Sequence, residues 1–309
     1  KAENKTAQVE NIKYRSDPVE DEMREHIGFI GMGVMGKRMA GHLAAAGYRL
    51  HVYSRTRAKA NELLEQGARW EESARAIAGA CNVIFTIVGF PSDVEEVYFG
   101  DDGLLGGMKP ESVAIDMTTS SPELAVRIAD EARSRGALAL DAPVSGGDKG
   151  AREGTLSIMA GGERAGFDRV LPMFRLMGKN IVYQGPAGSG QHCKMANQIA
   201  IAANMMGVCE ALAYAKRSGL DPGTVLESIS AGAAGSWSLS NLAPRILVGD
   251  FAPGFYVKHF VKDMTIASEA AGSMSLDTPG LDAALAMYRK LAEAGGEEEG
   301  TQALYRMYE

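Results

Sequence analysis

Residues 27–36 read IGFIGMGVMG, a short apolar run that breaks into three glycines, Gly31, Gly33 and Gly36. No other ten residues restrict the fold of this chain so strongly. An apolar run of this length bounded by glycine predicts a buried strand. The following VMGKRMAGHLAAAG predicts a helix ending at Gly47, and YRLHVYSR a second strand. The glycines therefore fall in the turn of a strand–helix–strand unit, where each has its own use. Gly31 permits the tight turn, Gly33 lets the backbone approach a pyrophosphate, and Gly36 lets helix and strand pack closely. The loop Gly31-Met32-Gly33-Val34-Met35-Gly36 opens onto a helix N-terminus, whose free N–H groups attract an anion. It is a candidate dinucleotide-binding loop; the alternative is a glycine-rich turn with no ligand.

The alternation continues. TRAKANELLEQG predicts a helix, and CNVIFTIV reads as a strand covered on both faces. SDVEEVYFG predicts a short helix and SVAIDMT a strand. SPELAVRIADEARSRG predicts a helix capped by Ser121 with Pro122 at its first position. ALALDAPV, LSIMAGG and NIVYQG predict further strands, with ERAGFDRVLPMFRLMG helical between the last two. Strands alternating with helices imply a doubly wound α/β sheet. After Gly185 the strand patterns stop, and DPGTVLESIS, SLSNLAPRIL, HFVKDMTIASEAAGSM, GLDAALAMYRKLAEAG and TQALYRMY all read as helices. The expected division is a Rossmann-like domain over residues 26–187 and an all-helical domain over 188–309. Residues 1–25 are charged, lack the apolar core of a secretory signal and are expected to form a flexible or loosely docked extension.

Composition narrows the function. A net charge of −7 gives no broad basic surface for nucleic acid. The three cysteines, Cys81, Cys193 and Cys209, show neither CxxC nor metal-ligand spacing, so neither a disulfide framework nor a metal site is expected. Such sparse usage fits a reducing compartment, and cytosol, mitochondrion and plastid all agree with a soluble intracellular protein. The apolar run IAIAANMMGVCEALAYAK follows two amides, Asn197 and Gln198, and contains Asn204 and Glu210. It reads as a buried helix, and no segment reads as a membrane span.

Three further stretches raise chemical questions. The second strand ends VYSRT, where a carboxylate would be expected for an NAD-selective site. Ser54, Arg55 and Thr56 stand there instead, with Arg57 and Lys59 beyond. A hydroxyl and a guanidinium suit a 2′-phosphate, so NADP(H) is expected over NAD(H), with NAD(H) still possible. If there is no phosphate to bind, these are solvated surface charges. DAPVSGG places Ser145, Gly146 and Gly147 at a strand's carboxyl end, where open α/β sheets bind ligands and exposed N–H groups converge on an anion. Finally, GPAGSGQHCKMANQ sets Lys194 at the entrance of the apolar helix, where an idle lysine is seldom buried.

With the glycine loop, the stretches DAPVSGGDKGAREGTLSIMAGG, GPAGSGQHCKMANQ and KHFVKDM resemble the β-hydroxyacid dehydrogenase family from about His26 to the C-terminus. FTIVGFPSDV, GAAGS and PGFYVKHFVKD are most similar to its plant-type 3-hydroxyisobutyrate dehydrogenase-like members. The resemblance implies a 6-phosphogluconate dehydrogenase-like fold: a Rossmann-like domain followed by an all-α domain. It also implies that Lys194 is catalytic. Hydride reduction of an aldehyde creates an alkoxide that must be protonated as it forms, and an adjacent ammonium both stabilises and protonates it. Burial and the positive nicotinamide would lower the lysine from its usual ~10.4.

The resemblance further implies that Ser145, Gly146 and Gly147 hold a substrate carboxylate and that Asn197 or Gln198 contacts substrate; both lie on the Lys194 face of the helix. Val88 and Thr119 would line the cofactor, Lys262 would reach it, and Asp263 would close the site. Ser236 and Trp237 are candidates for the acyl end of the pocket, with a core position as the alternative for Trp237. One departure is VGFP, where many members read LP.

The expected function is NADPH-dependent reduction of small aldehyde acids. The alternatives are NAD(P)-dependent oxidation of 3-hydroxy acids such as 3-hydroxyisobutyrate, and a non-catalytic nucleotide-binding module. The presence of Lys194 argues against the last; imine reductases usually carry another residue there, and a 6-phosphogluconate dehydrogenase needs a longer helical domain. A homo-oligomer, dimer or tetramer, is expected, with the methionine- and alanine-rich helix after Lys194 packing against a second subunit.

Overall fold

A computed structural model describes residues 25–309, so the extension expected at the N-terminus lies outside the described residues except for Glu25. Strand β1 (His26–Ile30) sends Ile27 and Phe29 into one core layer and Ile30 into the other, as a period of two requires. α1 (Gly36–Ala45), β2 (Arg49–Tyr53), a 3-10 turn with α2 (Asn61–Glu65), β3 (Arg69–Trp70) and α3 (Ala74–Ala80) follow. Next come β4 (Val83–Thr86), α4 (Pro91–Phe99), β5 (Val113–Asp116), α5 (Pro122–Ser134) and β6 (Leu138–Asp141). β7 (Val144–Ser145), α6 (Gly147–Glu153), β8 (Leu156–Gly162), α7 (Arg164–Met177) and β9 (Gly178–Gly185) complete this half.

The sheet runs β3-β2-β1-β4-β5-β6-β8-β7, with β9 on β8. Its first six strands are parallel, while β8 runs antiparallel to β6 and β7. The expected doubly wound sheet is thus extended by an antiparallel edge. β1 lies between β2 and β4, so the chain leaves it in opposite directions and opens a crevice at its carboxyl end, directly over the glycine loop. Ser121 Oγ accepts from the Leu124 N–H and Pro122 begins α5, as the sequence implies.

Three elements escape the sequence reading. β3 has two residues, too few for a periodic signal, and α3 has seven, too few to repeat an apolar face more than once. α6 has two glycines in seven residues; Gly150 packs where a Cβ would stand 3.0 Å from Leu156.

After Gly185 the chain is helical: α8 (Ser189–Arg217), α9 (Pro222–Ser230), α10 (Trp237–Asn241), α11 (Ala243–Leu247), α12 (Val257–Ser273), α13 (Pro279–Leu291) and a terminal 3-10 helix over Thr301–Tyr308. α8 packs against α12, α13 and the terminal helix, and Met205, Cys209 and Leu212 anchor it in a separate core. By length and composition α8 is apolar enough to cross a membrane, which corrects the expectation that no segment qualifies. What seats it here is the burial of one flank against three helices. Its other flank, from Ala196 through Ala200 and Ala203 to Gly207, is exposed.

Candidate active site

The three loop glycines separate by what surrounds them. Gly31 has φ +100°, and a Cβ there would lie 2.0 Å from the Ile87 carbonyl oxygen. A Cβ on Gly36 would lie 1.9 Å from the Gly31 oxygen. Both absences are demanded by packing. A Cβ on Gly33 would meet nothing within 4 Å, and its φ is not in the left-handed region. The protein itself gives no reason for glycine at this position, so the open space there fits the close approach of a pyrophosphate. α1 adds to this: its cap residue Met35 provides no side-chain hydrogen bond, and its first turn carries no acid. Gly33 and Val34 are exposed toward the crevice, whereas Met32 is buried and takes part through its backbone N–H, 3.4 Å from Ser54 Oγ.

At the end of β2, Arg55 is exposed and donates from Nη1 to Asp93 Oδ1 at 2.8 Å. Asp93 belongs to α4 and also accepts the Phe90 N–H, so an acid reaches this place from a neighbouring element. Nothing in the residues at the end of β2 marks this acid, which comes from 38 residues further along the chain. Thr56 is exposed beside Arg55.

The second cluster lies at the junction of the two halves. Lys194 is 6% exposed, and its Nζ donates to the Val144 carbonyl at 2.8 Å. It sits in the first turns of α8, directly over the segment Val144–Ser145–Gly146–Gly147. Gly146 and Gly147 have φ of 129° and 60°, a pair of conformations that suits glycine. The position of a Cβ on Gly147 lies 3.3 Å from the Gly254 oxygen, so a loop of the helical half overhangs this cradle. Burial lowers the Lys194 pKa from the ordinary lysine value and the nearby Lys262 lowers it further, while Asp263 pulls the other way.

α12 supplies Lys262 and Asp263. Lys262 Nζ donates to the Thr119 carbonyl at 2.7 Å and stands 2.8 Å from Asp263 Oδ1. That approach is off the line of a hydrogen bond, and Oδ1 accepts none. Asp263 Oδ2 accepts from Gln198 Nε2 at 2.5 Å, and Gln198 Oε1 accepts from Asn197 Nδ2 at 2.7 Å. Gln198 is fully buried and both ends of its amide are engaged within the protein; Asn197 is only half-buried. The fold thereby separates two residues that sequence alone left equivalent.

Val88 donates its N–H to Thr118 Oγ1 at 3.0 Å, which joins the loops after β4 and β5 next to Thr119. Trp237 is not in the core, which corrects that alternative: it is 65% exposed at the head of α10, while Ser238 and Leu239 behind it point inward. Ser236 caps that helix by accepting the Leu239 N–H. The structure thus brings together Ser145, Gly146, Gly147, Lys194, Gln198, Thr119, Lys262 and Asp263, and gives Trp237 no part in that network. Two residues that lie within the DAPVSGG and GPAGSGQHCKMANQ stretches but received no role there, Asp141 and Gln191, belong to it through buried hydrogen bonds. Among the described residues no cluster of His, Cys, Asp and Glu is arranged to hold a metal. Cys81 and Cys209 are buried thiols pushed up to about 12, far from a reactive thiolate.

Comparison with known proteins agrees with this architecture. Residues 26–185 match the family described as the NAD binding domain of 6-phosphogluconate dehydrogenase. Residues 188–308 match the family described as NAD-binding of NADP-dependent 3-hydroxyisobutyrate dehydrogenase. An uncharacterized oxidoreductase of Bacillus subtilis, YkwC, is 57% identical over 93% of this chain and 99% of its own. A probable mitochondrial 3-hydroxyisobutyrate dehydrogenase-like protein 1 of Arabidopsis thaliana is 48% identical over 90% of this chain and 83% of its own. The 2-hydroxy-3-oxopropionate reductase of Escherichia coli is 41% identical over 92% of this chain and 97% of its own.

Proposed function

This chain belongs to the β-hydroxyacid dehydrogenase family, in its 3-hydroxyisobutyrate dehydrogenase-like group, and is an NAD(P)-dependent oxidoreductase acting on CH–OH groups. From that premise we propose that it reduces short aldehyde acids with NADPH, with Lys194 as the proton donor. The observation that carries the reading is the buried Lys194 ammonium placed over the Ser145–Gly147 cradle at the domain junction. The cradle's N–H groups and the Ser145 hydroxyl bind the substrate carboxylate, and the half-buried Asn197 orients the remainder.

The cofactor would be held by the Gly31–Gly36 loop, Ser54, Arg55, Thr56, Val88, Thr119 and Lys262, and when bound it supplies the hydride that reaches the carbonyl carbon. Lys194 gives its proton to the carbonyl oxygen, so the aldehyde leaves as an alcohol and the neutral amine recovers a proton from solvent. A pKa lowered by burial makes that proton easier to give and lets the amine act as base in the reverse direction. Asp263, held by Gln198, opposes the lowering.

The basic end of β2 supports the preference for NADP(H), and the relation to the E. coli reductase supports an aldehyde acid as substrate. Oxidation of a 3-hydroxy acid is the second reading, favoured by the Arabidopsis relative. We also propose residues 26–187 and 188–309 as the two domains, an intracellular location, and a homo-oligomer formed on the exposed small-residue flank of α8. The test is a panel of C2 to C5 semialdehydes and the matching hydroxy acids, each assayed with NADPH and NADH. A kcat/KM favouring semialdehydes with NADPH is expected. An NADH preference overturns the cofactor assignment, and a preference for hydroxy acids with NAD overturns the direction.

A further inference from the structure

One turn before Lys194 on α8, Gln191 is fully buried and takes none of the roles assigned above. Its Oε1 accepts the Ser120 N–H at 3.0 Å, and its Nε2 donates to the Thr118 carbonyl at 2.8 Å. One amide therefore pairs with a peptide segment on both its acceptor and its donor side, as a neighbouring strand would. The held segment contains Thr119, whose carbonyl receives Lys262, and Thr118, whose hydroxyl receives the Val88 N–H. The other end of Gln191 is fixed as well. Its own N–H donates to Asp141 Oδ2, while Asp141 Oδ1 accepts the Gly188 N–H, both at 2.8 Å. A carboxylate from β6 thus caps the helix whose own cap residue, Gly188, has no side chain to do so.

Along the buried face of α8, Gln191, Lys194 and Gln198 reach the cofactor-side loop, the substrate loop and α12 in turn. We propose that Gln191 is a positioning residue that ties the Thr118–Ser120 segment to the helix carrying Lys194, so that the nicotinamide side of the site and the proton donor keep one fixed spacing. The proposal rests on the reading of Lys194 as proton donor and goes one step beyond it. Glutamine is needed because an apolar side chain would leave the Ser120 N–H and the Thr118 carbonyl buried without partners.

The test compares Gln191→Leu with Gln191→Glu, each measured per folded molecule. In cofactor-free protein, hydrogen exchange at the Ser120 amide is expected to speed up at least about tenfold in the leucine variant. Its kcat is expected to fall roughly 10- to 100-fold, the scale set by a displacement of about 1 Å between reacting groups. A glutamic acid replaces glutamine only when protonated, its O–H then standing in for Nε2–H toward Thr118. Gln191→Glu should therefore be slow at alkaline pH and recover toward wild type, at matched pH, as the carboxyl gains its proton.

Wild-type kcat in the leucine variant overturns the proposal whatever the exchange does, because the contact would then serve stability alone. Lost kcat with unchanged exchange overturns it too, since the loop would not be what Gln191 holds. If the leucine variant does not fold, a glutamate variant that follows wild type at every pH is decisive against it. Lys194→Ala separates the two layers. Normal turnover there defeats the proton-donor reading, whereas an inactive Lys194→Ala beside fully active Gln191 variants defeats only the positioning role.

Discussion

The glycine loop draws its three constrained residues from six consecutive positions, whereas the cluster around Lys194 gathers residues from 118–120, 141–147, 191–198 and 262–263. The first is shaped by backbone: two of its glycines exist because a Cβ would strike a carbonyl oxygen, and the third faces open space. The second is shaped by side chains that satisfy one another in a buried setting. Polar groups in such a setting are costly when unpaired. The turn depends on one distant backbone contact, the Ile87 carbonyl lying against Gly31. A junction assembled from two domains depends on each of them, and on the contacts that keep them in register.

The largest expected effect breaks the two regions apart. Lys194→Ala should lower single-turnover reduction by roughly 10²- to 10⁴-fold, the usual contribution of a general acid. Cofactor affinity, read by fluorescence titration, should stay near wild type. An equal loss in affinity would mean that the junction and the glycine loop are one site after all.

Within the loop, the glycines sharpen the contrast. Gly36→Ala places a Cβ 1.9 Å from the Gly31 oxygen; it should destabilise the fold by about 1–3 kcal/mol, the range for overpacking, seen as a lower Tm without cofactor. Gly33→Val meets no protein atom at its Cβ, so Tm without cofactor should hold. Its cofactor Kd should rise about tenfold, or about 1.4 kcal/mol. If both variants lose stability alike, the open space at Gly33 is not a ligand's.

The last effect is a pH dependence at the ends of β5 and β6. Asp116 and Asp141 face each other across β5 and β6, and burial pushes each up to about 6 from 3.8. A folded pKa above the unfolded one means that the native state binds protons more readily. The associated stability is fully present below pH 3.8 and is lost as pH rises through about 6. Each carboxyl contributes at most about 1.4 kcal/mol per pH unit in that window. Asp116→Asn should flatten the rise in Tm seen on acidification by denaturation across that range. An unchanged slope would remove Asp116 as its source.

How much of this was legible follows the same divide. Five of the six parallel strands, all but the two-residue β3, announce themselves by period and spacing, as do the long helix after Gly188 and the glycine loop, and these are local properties of the chain. Lys194 stood out as a cation before an apolar run. Gln191 carries no such mark, since a glutamine three residues before a lysine looks like any polar residue on a helix end. Asp141 reads as an interior residue of the ALALDAPV strand, and its task as the cap of a helix nearly fifty residues later follows only from the β6–α8 contact. Asn197 and Gln198 were indistinguishable until Asp263 engaged one of them.

By itself, the sequence determined the α/β half, the helical half and a turn able to receive a pyrophosphate, because backbone preference and hydrophobic period act over a few residues. Only the tertiary structure decided which amide faces substrate, which acid caps α8 and what holds the Lys194 ammonium. Those choices are made by hydrogen-bond partners far apart in the chain, brought together when the two cores pack.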